Sequence, residues 1–336
     1  MHFTGKKMEK NNINEAELEN VRVLVEKCRE EAKKRLIGQD YLIDGILTAF
    51  VAGGHVILEG VPGLAKTLAV KTFAEISGLD FKRIQFTPDL LPADVSGTLI
   101  YEQAKGSFSV RKGPVFTNVV LADEINRAPA KVQSAMLEAM EEKQVTIGEE
   151  TYRLPEPFFV LATQNPIEQE GTYNLPEAEL DRFLLKLNIN YPSADEELQI
   201  VKTQGAASKV PVNQILSAKD LLKFREMNGN IVCDDKIVEY IVQIISVTRP
   251  SVKKQSEHDI TRYITFGASP RAGIAILQCA KATALLAGRS FVLPEDVKAV
   301  AAMVLRHRIV LSYEAAADNI TADDIIAKIL DFIPVP

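Results

Sequence analysis

The sequence predicts an α/β protein: a parallel-sheet core followed by a mostly helical C-terminal domain. Three observations predict it. Short apolar runs alternate with amphipathic segments through the first half, two amphipathic segments precede that alternation, and strand-like runs largely stop after "NYPSADEE". Strands alternating with helices imply a parallel sheet covered on both faces, because each crossover lays a helix against the sheet.

The elements follow in order. "AELENVRVLVEKCREEAKKRL" and "QDYLIDGILTAFVAG" carry apolar residues every three or four positions, as two amphipathic helices do, with "IGQ" (Ile37 to Gln39) between them. The strand candidates are "HVILEG", "FKRIQF", "NVVLADE", "FFVLATQN" and "LLKLNIN"; "KTLAVKTFAEIS" and "AKVQSAMLEAMEE" are helix candidates among them. "GTLIYEQAKGSFSVRKGPVF" (Gly97 to Phe116) and "KQVTIGEETYRL" (Lys143 to Leu154) each hold two β-like arms, around Lys105-Gly106 and Gly148. Pro192 and Ser193 mark a boundary, giving an α/β domain with its N-terminal helices at 1–192 and a helical domain at 193–336.

The 336 residues are 46% hydrophobic and 25% charged, enough material for about two domains with real cores. A net charge of −6 argues against holding nucleic acid by bulk electrostatics, which makes nucleic acid an unlikely partner. Cys28, Cys233 and Cys279 are odd in number and widely spaced, so they read as buried thiols in a reducing compartment. His2, His55, His258 and His307 lack metal-ligand spacing. The N-terminus has no apolar core for a signal peptide, and "GILTAFVAGGHVIL" is broken by glycines and too short to span a bilayer. The expectation is a cytoplasmic protein without membrane insertion.

Residues 60 to 67, "GVPGLAKT", stand one residue from the phosphate-binding loop G-x-x-x-x-G-K-[ST], with Ala65 in place of the second glycine. A strand candidate enters the loop and a helix candidate leaves it, which is the context such a loop requires. Backbone N–H groups there surround phosphate oxygens, aided by the helix N-terminus. Lys66 would reach the β- and γ-phosphates of ATP, and the Thr67 hydroxyl would hold Mg²⁺. Gly60 or Gly63 supplies the sharp turn, while Ala65, read as already close to helical φ/ψ, tolerates its methyl. A glycine-containing turn with an incidental lysine fits the same eight letters.

A second motif weighs against that alternative. "NVVLADE" is a buried-strand run ending in Asp123 and Glu124, at the carboxyl end of a strand, where open α/β sheets place their ligands. Asp123 would coordinate Mg²⁺ directly or through water, and Glu124 would polarise the attacking water. "ATQN" ends a third strand, placing Asn165 to orient water against the γ-phosphate.

Together "GVPGLAKT", "LADEINRAP", "ATQNPIEQEGTYNLPEAELDRF" and "GASPRA" resemble the MoxR family of AAA+ ATPases over nearly the whole chain. The resemblance implies a P-loop AAA+ core with a C-terminal helical lid, and it includes the alanine variant of the loop. It implies an ATP-driven homo-oligomeric ring, commonly a hexamer, acting as a chaperone-like remodeller of protein clients, often with a partner bearing a von Willebrand factor A domain. Nucleotide contacts would come from Gly60, Val61, Pro62, Gly63, Leu64, Ala65, Lys66, Thr67 and Leu68, with Ile37 and Gly38 bordering the adenine. Asn165 would be sensor 1, Arg182 in "LDRF" the arginine finger, and Arg271 in "GASPRA" sensor 2.

Arg182 also fits a surface arginine paired with Asp181. "SPR" reads as a helix start with Ser269 as N-cap and Pro270 at the first helical position, leaving Arg271 in a first turn that favours an anion nearby. Asn126 and Arg127 stand close enough to Glu124 to arrange water or contact a neighbour, and Asn126 is also placed to cap the next helix. In the resemblance the two hairpins correspond to the helix-2 insert and the pre-sensor-1 hairpin; Lys105, Arg111 and Lys112 read slightly better as a solvated face than as a grip on DNA. The reading is an ATPase using Lys66 and Mg²⁺ for charge, Glu124 for water and Arg182 in trans. A nucleic-acid motor, a non-hydrolysing nucleotide-gated scaffold and a metal-inserting relative with the same engine stay as alternatives.

Overall fold

In the computed structural model, which describes residues 14–61, 63–166, 172–173, 175–204, 210–250 and 260–336, all five strand candidates form one parallel sheet. The chain opens with helices α1 (Glu15–Lys33) and α2 (Asp40–Ala52), then runs β1 (Val56–Glu59), α3 (Lys66–Ile76) and β2 (Phe81–Gln85). A short helix α4 (Pro92–Ser96) leads into the hairpin β3 (Gly97–Glu102) and β4 (Ser107–Lys112). Next come β5 (Val119–Asp123), α5 (Ala130–Glu142), the hairpin β6 (Gln144–Ile147) and β7 (Glu150–Arg153), β8 (Phe159–Gln164), α6 (Glu177–Leu180) and β9 (Leu185–Asn188). The second half holds α7 (Ala194–Gln204), α8 (Ala218–Asn230), α9 (Asp235–Val247), β10 (Ile264–Phe266), α10 (Pro270–Leu286), α11 (Pro294–Leu305), β11 (Val310–Leu311), α12 (Tyr313–Ala317) and α13 (Ala322–Phe332). Both expected hairpins are present, and the helical half also contains the antiparallel pair β10–β11.

The strand order is β2-β5-β8-β1-β9, with β1 hydrogen-bonded to β8 and β9, and β5 to β2 and β8. The two-residue period of a strand divides its side chains between faces. Val56, Leu58, Val119, Leu121, Phe159 and Leu161 join one apolar cluster, whereas Ile57, Val120, Ala122, Val160 and Ala162 join the other. The first cluster includes α1, α2 and α3 and continues without interruption into α8 to α11, because α2 lies between the sheet and α10. The second lies under α5 and the bases of the hairpins. The five-stranded sheet ends near residue 190, but the core does not.

Buried polar groups fasten these layers. His55 accepts from the Val160 amide at Nδ1 (3.0 Å) and donates from Nε2 to the Met140 carbonyl (3.2 Å), which fixes a neutral tautomer. Burial pushes its pKa down to about 4. Burial also holds His307 well below the usual histidine range. Cys28 and Cys279 are buried free thiols pushed up to about 12 by desolvation. Among the described residues, no group of three or more His, Cys, Asp or Glu side chains could hold a metal, and no helix is long and apolar enough to cross a membrane.

Candidate active site

The loop between β1 and α3 is shaped by Gly60, Gly63 and Ala65, each for a different reason. Gly60 is required by close approach, since a Cβ there would stand 2.9 Å from the Ile189 carbonyl oxygen beyond β9. Gly63 is required by its φ of 88°, with open space where a Cβ would be. Ala65 differs from its expected right-handed conformation: it adopts φ 57°, ψ 17°, and α3 begins only at Lys66. A left-handed residue followed by right-handed helix turns successive N–H groups to one side, as in an anion-binding nest. The methyl group therefore carries a strain of about 1 kcal/mol. No acid lies in the first turn of α3 and no side chain caps it, so those donors are left to another acceptor. The Lys66 ammonium donates to the carbonyls of Gly60 and Gln164, the latter at 3.1 Å, which places it between the loop and the end of β8.

The parallel register brings the ends of β2, β5 and β8 alongside this loop. Asp123 stands opposite Gln85. Thr163 Oγ1 donates to Asp123 Oδ1 at 2.6 Å and accepts the Glu124 amide at 2.8 Å, so one hydroxyl ties the two acids together. Arg83 donates to the other oxygen of Asp123 at 2.8 Å. Glu124 leaves the strand at φ 55°, ψ 50°, and its Oε2 receives Gln85 Nε2 at 2.8 Å and Arg127 Nη1 at 3.0 Å. Gly63 to Leu68, Asp123, Glu124, Thr163 and Asn165 line one cleft of about 380 Å³. Asn165 is buried at its wall.

The other expected residues lie elsewhere. Val61 is half-buried at the start of the loop, and Pro62 falls outside the described residues. Ile37 and Gly38 form a turn whose glycine, at φ 70°, packs against the Glu196 carboxylate of α7, outside the residues lining the cleft. Arg182 is paired not with Asp181 but with Glu141 on α5, at 3.4 Å. Asp181 is occupied by Arg308 at 2.6 Å, with Arg271 3.8 Å away. Ser269 caps α10 by accepting the Arg271 amide (3.2 Å), and Pro270 opens the helix as expected. Asn126 is buried without capping α5, which starts at Ala130 after Pro129 and has no side-chain cap. The hairpin tip Lys105 pairs with Glu102 at 2.5 Å.

A family model described as the ATPase family associated with various cellular activities (AAA) matches residues 55–185, and an AAA lid domain model matches residues 256–329. Chaperone MoxR1 of Mycobacterium tuberculosis is 48% identical over 312 residues, 93% of this chain and 82% of that protein. YeaC of Bacillus subtilis is 44% identical over 95% of this chain and 97% of its own. Protein MoxR of Paracoccus denitrificans is 31% identical over 90% of this chain and 93% of its own. The chain belongs to the MoxR family of AAA+ ATPases. A Cytophaga hutchinsonii protein assigned as an ATPase, known from a crystal structure, superposes with a TM-score of 0.88 at 47% identity, covering 96% of this chain and 98% of that one. The α/β AAA+ core and helical lid predicted from sequence are thus the fold of this MoxR-family chain.

Three residues of the MoxR site escape a reading by motif. Arg83 and Gln85 stand two positions apart in β2, so they share one strand face, and Thr163 precedes Asn165 by two in the same way. That alternation of polar residues toward a strand end was the available signal. What it lacked was the register that sets these side chains beside Asp123 and Glu124.

Proposed function

We propose that this MoxR-family chain hydrolyses ATP with Mg²⁺ and uses the cycle to remodel or mature protein complexes as a homo-oligomeric ring, with a hexamer the expected size. The observation carrying this reading is the convergence of Lys66, Thr67, Asp123, Glu124 and Asn165 on one cleft. The loop amides and Lys66 bind the phosphates. Asn165 orients the attacking water, and Glu124, held by Gln85 and Arg127, polarises it. Mg²⁺ typically takes one or two protein ligands and completes its shell with phosphate oxygens and waters, which suits a site without three clustered ligands. Thr67 would hold it directly. Asp123 would hold it through water, since Thr163 and Arg83 each occupy one of its oxygens but leave lone pairs. When bound, Mg²⁺ neutralises charge on the phosphate oxygens.

Arg182 lies outside the cleft of its own chain, which favours its supply to a neighbouring subunit; Arg271, at the start of α10, stands 3.8 Å from Asp181, the residue before Arg182. Similarity to a relative named a chaperone supports a protein client. A von Willebrand factor A domain partner is the expected companion. In the test, Glu124→Gln should bind MgATP with unchanged affinity and hydrolyse it about 10²-fold more slowly, the low end for losing an acid–base group. Lys66→Ala should lose affinity in calorimetric titration. Near-normal turnover of the first, or unchanged affinity of the second, would remove that residue from the mechanism.

A further inference from the structure

Asp181 lies between the end of α6 and Arg182, and its side chain is largely withdrawn from solvent. Arg308, which follows α11 and is 4% exposed, donates from Nε to Asp181 Oδ1 at 2.6 Å. Its Nη2 donates to the carbonyls of Phe183 (2.6 Å) and Asp181 (3.3 Å), and its Nη1 to those of Leu184 (3.1 Å) and Val304 (2.6 Å). Every nitrogen of this guanidinium is used. One buried side chain from the lid therefore grips the backbone on both sides of Arg182, and the Asp181 carboxylate closes the grip. The second oxygen of that carboxylate faces Arg271 at the start of α10, 3.8 Å away.

Arg182 itself is tethered loosely, one-third exposed and 3.4 Å from Glu141. A side chain that must reach a neighbour's phosphate depends on the placement of its own backbone, because a misplacement of about 1 Å can cost about 10²-fold in rate. We propose that Asp181 is a positioning residue for Arg182: with Arg308 it fixes the segment that presents the arginine to the neighbouring subunit, and through Arg271 it links that segment to the lid. This rests on the reading that Arg182 acts in trans.

The test uses full-length subunits mixed in equal amounts, with labels verifying that both enter the same rings. A Glu124→Gln and Arg182→Ala mixture is the control: it creates junctions where an intact Glu124 meets an intact Arg182, about a quarter of the total if the arginine is supplied across the junction. No recovery there would sink the trans reading itself, without any Asp181 variant. With recovery, Asp181→Asn alone should lose about 10-fold or more in kcat by the same misplacement argument, with unchanged MgATP affinity. Its activity should return with Glu124→Gln, which supplies a held Arg182, and not with Arg182→Ala, which supplies none. A merely destabilised subunit would respond alike to both partners. Equal rescue by both, or full activity of Asp181→Asn alone, overturns the proposal. Asp181→Glu keeps the charge opposite Arg308 and should show the same asymmetry with a smaller loss. If Asp181→Asn does not fold and Asp181→Glu is fully active, or if neither folds, Asp181 is a counter-charge for Arg308 and the proposal falls.

Discussion

Two carboxylate clusters in this chain use similar chemistry to opposite ends. Around Asp123 and Glu124 the partners come from β2, the end of β8 and the helical turn after β5, the acids stay partly exposed, and the backbone is held in unfavourable conformations at Ala65 and Glu124. Around Asp181 the central guanidinium is buried, each of its nitrogens is occupied, and the partners come from segments 127 residues apart. The first cluster leaves donors and acceptors for a ligand and accepts strain to do so. The second spends every guanidinium nitrogen on the protein itself and so fixes one segment to another. A buried ion pair of this kind contributes little net stability relative to apolar packing, but losing one partner strands a charge.

The sharpest separation of the two should come from Arg308→Ala. It should destabilise the chain by about 3–5 kcal/mol, the cost of breaking a buried pair, read from the shift in urea midpoint. A loss under about 1 kcal/mol, the value of an exposed pair, would break the contrast. Arg182→Ala tests the functional side: turnover should fall by about 10³-fold by analogy with arginine fingers, with little change in the urea midpoint. An equal fall in stability would make Arg182 a structural residue through Glu141.

His55 extends the buried side of the comparison to pH. Its folded pKa of about 4 lies below the ordinary 6.5, so the unfolded chain binds more protons between those values. Stability from His55 is complete above pH 6.5 and is lost as pH falls toward 4, by roughly 3 kcal/mol in total at about 1.4 kcal/mol per unit. Urea midpoints at pH 7 and 4.5 should differ accordingly, and His55→Gln should flatten the slope; an unchanged slope removes His55 as its source. The smallest effect belongs to the strained loop. Ala65→Gly relieves about 1 kcal/mol of left-handed strain and costs about 0.4–1 kcal/mol through the greater entropy of the unfolded chain, so calorimetric melting should show a net gain of up to about 0.6 kcal/mol. A lowered melting temperature would contradict the left-handed assignment.

Local features were the ones legible in the sequence. Each of the five sheet strands, both hairpins and the Ser269–Pro270 helix start follow from periodicity and capping chemistry a few residues wide. The acids and the loop were legible because their spacing relative to strand ends survives in one dimension. The conformation of Ala65 was not, since alanine ordinarily favours right-handed helix and only the loop's geometry imposes the other hand. Gln85 and Thr163 needed the sheet register before they could be joined to Glu124. Asp181 was read with its chain neighbour, whereas its actual partner, Arg308, arrives through tertiary packing that no local pattern encodes.

The uninterrupted core beneath α2 bears on how such chains can be recombined. Helices α1 and α2 precede the sheet in the gene, yet they pack on α8 and α10 as well as on β9 and α3. A chimera joined at residue 192 would set one parent's α2 against another parent's α10, with Ile46, Phe50 and Ala280 drawn from mismatched sets within a single cluster. Close-packed interiors feel changes as small as a methylene. Exchange between relatives should therefore carry the first helices together with the lid, so that the inheritable unit is two separated stretches of sequence rather than one continuous half.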